Sequence, residues 1–81
     1  MSEHANPLAV QQTAQDVINA YTTQLMKERS APVPDAARVE WLKAELAACG
    51  ADLQALDDAD PDEVDEIAAR YAARAQALNG Q

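Results

Sequence analysis

No phenylalanine occurs in this sequence, and its aromatic content is limited to Tyr21, Trp41 and Tyr71. Nearly half of its apolar residues are alanine: 19, against 19 larger side chains and Cys49. A core assembled from so few large groups supplies only about 3–5 kcal/mol in a domain of this size. Oligomerisation or docking to a partner is therefore an expected contributor to stability. A single cysteine excludes an internal disulfide. With only Gly50 and Gly80 there is no glycine-rich phosphate loop. The one histidine, His4, lies near the start of the chain, away from Cys49, so neither a Cys–His pair nor a zinc ligand set is expected. Cys49 falls within a leucine stripe and reads as a small apolar residue. The carboxylates cluster in a solvated helix cap, which does not equip them for acid–base work. The expectation is a protein that is not an enzyme, with no catalytic residue, cofactor or metal.

Positive charge is equally scarce. Six Lys and Arg face fourteen Asp and Glu, for a net charge of −8. Such a chain is repelled by nucleic acid and anionic membrane, so neither is expected as a direct partner. The six basic residues, Lys27, Arg29, Arg38, Lys43, Arg70 and Arg74, are too scattered for a helix-turn-helix DNA reader. No apolar run approaches the roughly 18 residues of a spanning helix. The start MSEHANPLAV lacks the basic and apolar regions of a secretion signal. A cytoplasmic protein is expected, and the natural complement of its charge is a basic protein surface.

What the sequence does have is helix punctuation. Asn6-Pro7 and Asp60-Pro61 each place a capping side chain before a proline at the first helical position. Glu63 makes the second an Asp version of the capping box, and Asp62, Asp65 and Glu66 sit where the helix dipole favours acids. Pro32 and Pro34 stop any helix between them, and Asp35 caps the next. The chain thus reads as an all-α, small three-helix protein. An unstructured tail is expected at 1–6, and a single domain at 7–79 with helices at about 7–29, 36–56 and 61–79. Helices 2 and 3, joined by the short loop 57–60, are expected to form an antiparallel hairpin, with helix 1 packed on or beside them.

Periodicity agrees with that division. Helix 1 carries Ala14, Val17, Ile18, Tyr21 and Leu25 at helical spacing, and helix 3 carries Val64, Ile67, Ala68, Tyr71, Ala75 and Leu78. In helix 2, Val39, Leu42, Leu46, Cys49, Leu53 and Leu56 repeat in 3,4 order across Gly50. That unbroken register favours a helix continuing through the glycine at a cost of about 1 kcal/mol. A second stripe, Ala37, Trp41, Ala44 and Ala48, lies roughly 140° from the first. The leucine face should pack on helix 3, while the Trp41 face must meet helix 1, a second subunit or a partner. A small domain seldom leaves a tryptophan uncovered, so cover by helix 1 is the plain expectation. Helix 1 is unusual in another way: between His4 and Lys27 its only charged residue is Asp16. Uncharged polar surface suits an interface, although glutamine is also simply a tolerated helix former.

The segment DDADPDEVDE at 57–66 holds seven of the fourteen acids. Asp58, Asp60 and Asp62 have the spacing of an EF-hand start. However, the sixth position is Glu63 where glycine is needed, the twelfth is Ala69, and Pro61 intervenes, which argues against calcium. Capping and solubility explain most of this cluster. The sharper reading is an electrostatic lure for a basic partner.

In length, acidity and alanine content, and in the segments VPDAARVEWLKAEL and DPDEVDEIAARYAARA, the chain resembles the small acidic helical inhibitors of mobile elements. Among these it is most similar to the quorum-sensing antiactivators of integrative and conjugative elements. The resemblance implies a cytoplasmic regulator of transcription that binds and blocks an activator. From the surface argument alone, the partner-binding candidates are Val17, Tyr21, Leu25 and Trp41 as anchors, with Asp57, Asp58, Asp62 and Asp65 as the acidic complement. The alternative reading is a structural, self-associating helical module or subunit of a larger assembly, and the chain is expected as a monomer or homodimer.

Overall fold

The computed structural model describes residues 4–79. They form three helices, α1 (Pro7–Ser30), α2 (Ala36–Leu56) and α3 (Pro61–Asn79), with no strand among the described residues. Each start is fixed by a side chain that accepts an otherwise orphaned backbone N–H. Asn6 Oδ1 takes that of Leu8 at 2.9 Å, Asp35 Oδ1 that of Arg38 at 3.1 Å, and Asp60 Oδ1 that of Glu63 at 2.9 Å. Pro7 and Pro61 occupy first helical positions, where a missing N–H costs nothing. α1 ends where Ala31 turns extended ahead of Pro32. The linker is then tied back, because Glu28 Oε1 accepts the Asp35 N–H at 2.8 Å.

The helices run up, down and up, with α1 as the spine. Cross-contacts fix the directions: Tyr21 meets Trp41 and Gln24 meets Arg38, so α1 and α2 are antiparallel. Ala5 meets Asp65 while Val17 and Ala20 lie beside Ala75 and Leu78, so α3 runs parallel to α1. Glu45 pairs with Arg74 and Asp52 with Arg70, which makes α2 and α3 antiparallel. The principal extents are 53 × 24 × 17 Å, and the radius of gyration of 14.2 Å exceeds the roughly 12 Å of a compact chain this long. The bundle is therefore a rod.

Its core is a thin column. α1 contributes Val10, Ala14, Val17, Tyr21 and Leu25, α2 contributes Leu42 and Cys49, and α3 contributes Val64, Ile67 and Tyr71. Val39, Leu46, Leu53 and Leu56 are only half-buried along its edge. The leucine face of α2 packs chiefly against α1 and much less against α3, contrary to the expectation of a hairpin zipped through leucines. The reason lies in α1, whose single buried stripe is the apolar surface that both neighbours share, whereas α2 and α3 offer each other ions. α2 is continuous through Gly50, whose φ is not positive and beside which a Cβ would meet nothing within 4 Å. Of the expected tail, residues 1–3 lie outside the described residues. Residues 4–6 have no regular secondary structure; Asp65 of α3 accepts the Ala5 N–H at 2.7 Å and lies 2.7 Å from His4 Nδ1.

Candidate partner-binding surface

Three of the four apolar anchor candidates are inside the protein. Val17 is 2 % exposed, Tyr21 4 % and Leu25 8 %. They are spaced for the inner face of α1, where they pack in one core with Leu42 and Tyr71. Their role is to hold the bundle together, which leaves them little surface to offer a partner. Trp41 is the exception. It remains 43 % exposed, with its ring standing edge-on to Tyr21 at 5.7 Å between centroids and an interplanar angle of 85°. The Arg38 guanidinium covers part of the indole at 4.9 Å from the ring centroid, an arrangement worth about 0.5–1 kcal/mol at an exposed site. α1 thus covers only part of the tryptophan. Ala37, Ala44 and Ala48 of the same α2 face are exposed.

Beside Trp41 a cleft of about 260 Å³ opens between α2 and α3, lined by Tyr21, Trp41, Glu45, Ala73, Arg74, Ala77 and Leu78. α2 and α3 touch little, and the alanines of α3 that line the cleft, Ala73 and Ala77, are too small to fill it. Its polar end is part of a half-buried ion network. Arg74 Nη2 lies 3.1 Å from Glu45 Oε2, and Nη1 lies 3.6 Å from Asp52 Oδ2. Both are ion-pair distances without hydrogen-bond geometry, and Glu45 Oε2 and Arg74 Nη1 are buried with no hydrogen bond. Asp52 also takes Arg70 Nη2 at 2.9 Å and the Tyr71 hydroxyl at 3.0 Å. Burial, with Cys49 and Asp52 alongside, pushes the Tyr71 phenol far above its usual range, so it stays a neutral donor. Arg74 further stacks over the Tyr71 ring at 4.9 Å. Sequence reading missed this network because each member looks like ordinary surface charge. The available signal was spacing: Glu45 and Asp52 recur seven apart on α2, Arg70 and Arg74 four apart on α3, each pair on one face.

The acidic candidates form a separate region. Asp57 is the C-cap of α2, Asp58 follows it in the loop, and both are exposed, as is Asp62. Asp65 is different, because its carboxylate holds the His4–Ala5 segment to α3. The Ala5 N–H and His4 depress its pKa, and Asp65 in turn raises that of His4. His4 Nδ1 and carboxylate oxygens of Asp62 and Asp65 lie within 4.8 Å of one another, which are metal-ligand types, but Asp65 already spends both oxygens on His4 and Ala5. Along α2, Trp41 and Asp57 are sixteen residues apart, about 24 Å. The apolar anchor and the acids therefore do not share one patch but lie about 24 Å apart along the rod. No helix among the described residues is long and apolar enough to cross a membrane. The chain matches no protein-family model, no curated protein and no solved structure.

Proposed function

We propose that this chain is a protein-binding regulatory inhibitor, a binder and not a catalyst, that docks onto and blocks a transcriptional activator or another basic protein in the cytoplasm. The observation that carries the reading is Trp41, the largest side chain of the protein, left 43 % exposed at the mouth of an apolar cleft in a molecule short of core. Tryptophan set in a pocket is the residue type that most often dominates an interface. An inserting aliphatic group would pack on Trp41, Ala73 and Ala77 and would exclude water from the Glu45–Arg74 pair. The segments that resemble antiactivators support the choice of target class, as does the net charge of −8. Asp57, Asp58 and Asp62, about 24 Å from Trp41 along α2, serve as a second, long-range element. A partner that uses both must span that distance, because charges so far from the cleft are screened from it at physiological salt.

The test is capture from the native cytoplasm followed by reconstitution with the purified partner. Trp41→Ala should weaken binding at least tenfold with the helical circular dichroism unchanged, since the ring is only half covered. Asp57, Asp58 and Asp62 together changed to Asn should slow association and flatten its salt dependence while leaving dissociation nearly unaltered. A partner held equally well by the Trp41 variant would sink this reading.

A further inference from the structure

We propose that two copies of this chain pair antiparallel through the outer face of α1, about a two-fold axis near residue 17. The face consists of Leu8, Gln12, Gln15, Asn19, Thr22 and Met26, all exposed and on the side of the helix opposite the buried stripe. These six positions carry no charge in a chain where a quarter of the residues are charged, and exposed Asp16 flanks them on the α3 side. A helix that only needed to be soluble would place its charges here. Leu8 is 69 % and Met26 64 % exposed. They are eighteen residues apart, which is five turns, so they lie on one line about 27 Å apart.

The stripe is self-complementary when reversed. About residue 17, Leu8 exchanges with Met26, Gln12 with Thr22 and Gln15 with Asn19. An inverted second copy therefore sets Leu8 against Met26 of that copy at both ends and amide against amide in the middle. Glutamine and asparagine both donate and accept, so an inverted copy satisfies them without opposite charge. The threonine hydroxyls are already used within the helix: Thr22 Oγ1 donates to the Ile18 carbonyl at 2.8 Å and Thr23 Oγ1 to that of Asn19 at 3.0 Å. Their methyl groups remain for the surface. Such a two-fold contact is the commonest form of self-association.

Charge selects the same direction. The last turn of α1 carries Lys27 and Arg29. The opposite end of the rod holds the acids of 57–66, pinned beside the start of α1 by Asp65 and Ala5. Antiparallel pairing brings Lys27 and Arg29 of one copy, with Glu28 and Asp35 among them, beside the acidic end of the other, while parallel pairing would stack the two acidic ends on each other. One helix against one helix buries less than the roughly 800 Å² per partner of a standard interface, so the dimer is weak and concentration-dependent. This surface is separate from Trp41 on α2, so each reading can fail alone.

Sedimentation equilibrium should show the mass rising from 8.7 kDa towards twice that value across the range from about 10 µM to 1 mM. Leu8→Cys and Met26→Cys variants mixed under mild oxidation should give 8-to-26 cross-linked dimers at least ten times faster than either variant alone. Cys49, buried and free, should stay out of the reaction. Gln15→Glu with Asn19→Glu should keep the helical signal, since both sites are exposed, and weaken association at least tenfold. A monomer at 1 mM, preferential 8-to-8 or 26-to-26 links, or an association abolished by Trp41→Ala and untouched by the glutamates would overturn the proposal.

Discussion

The two kinds of seam in this bundle are built from different interactions. Along α1, Val10, Ala14, Val17, Tyr21 and Leu25 meet their neighbours through apolar contact, a force without direction that tolerates small shifts. Between α2 and α3 the contact passes mainly through Arg70, Arg74, Asp52, Glu45 and the Tyr71 hydroxyl, a mix of directed hydrogen bonds to Asp52 and looser ion pairs of Arg74. The apolar seam supplies stability, while the ionic seam sets how far α2 and α3 stand apart and so keeps the Trp41 cleft open. An alanine-rich chain without phenylalanine cannot fill three apolar seams at once. It fills two and bridges the third with charge.

The largest expected effect comes from breaking the apolar seam. Leu42 is fully buried, and Leu42→Ala should cost about 2–5 kcal/mol, comparable to the whole stability of so small a domain. Urea denaturation followed by circular dichroism should find the variant largely unfolded in buffer at room temperature. A cost below 1 kcal/mol would mean that the column of side chains along α1 is not what holds the rod together.

The ionic seam should respond less and in a different way. Tyr71→Phe removes one hydroxyl and leaves Asp52 its partner Arg70, for an expected loss of about 1 kcal/mol. Asp52→Asn weakens three contacts at once and should cost more, about 1–3 kcal/mol, because Arg74 is half-buried and loses a counter-charge. The diagnostic is salt. Stability of the parent should fall modestly between low and high ionic strength, whereas that of Asp52→Asn should change less. Equal salt sensitivity in the two proteins would count against this division of labour.

These seams differ also in how far they could be read from residues. The helix starts at Asn6, Asp35 and Asp60 are local events, decided by a capping side chain and the residue that follows, so they were legible. So was the inner face of α1, because a helix with one apolar stripe has one way to bury it. α2 was harder: with two stripes, nothing in its own sequence says which faces α1. Tertiary competition decides that, and α1, which buries five residues against three in α3, took the leucines. Val17, Tyr21 and Leu25 were assigned to a partner for a related reason, since spacing shows that they share a face without showing what covers it. The crossing pairs Glu45–Arg74 and Asp52–Arg70 depend on register between helices and are set only after packing.

Gly50 sharpens the comparison from the solvent side of α2. It is exposed, helical and free of neighbours where a Cβ would stand, and it contributes to neither seam. Gly50→Ala should therefore stabilise the protein by about 0.5–1 kcal/mol through helix propensity and a less flexible unfolded chain. A rise of several degrees in the melting midpoint without change in the Trp41 fluorescence would fit. A loss of stability would show that the helix needs the glycine for a bend.

The smallest effect concerns the His4–Asp65 tether, a third kind of contact that belongs to neither seam. Asp65 raises the pKa of His4 by accepting its hydrogen bond, so the stabilising contribution of His4 is fully present below the ordinary histidine value near 6.5. It fades as pH climbs through the raised folded value. The pKa of Asp65 is lowered by Ala5 and His4, so its share is present above the ordinary carboxyl value near 3.8 and is lost as pH falls through the depressed one. The tether should be strongest between about pH 4 and 6.5. Both groups are solvent-exposed, so the consequence is local order and not global stability. A proton NMR titration should find the His4 ring titrating above its usual midpoint and returning to it in Asp65→Asn. Over the same pH rise, amide exchange at Ala5 should accelerate more than the base-catalysed trend alone predicts, while amides of the Val10–Leu25 stripe follow that trend. If His4 titrates at the ordinary value in the parent, the first turn of α3 is not holding the start of the chain, and the acidic end of the rod is looser than its ionic seam.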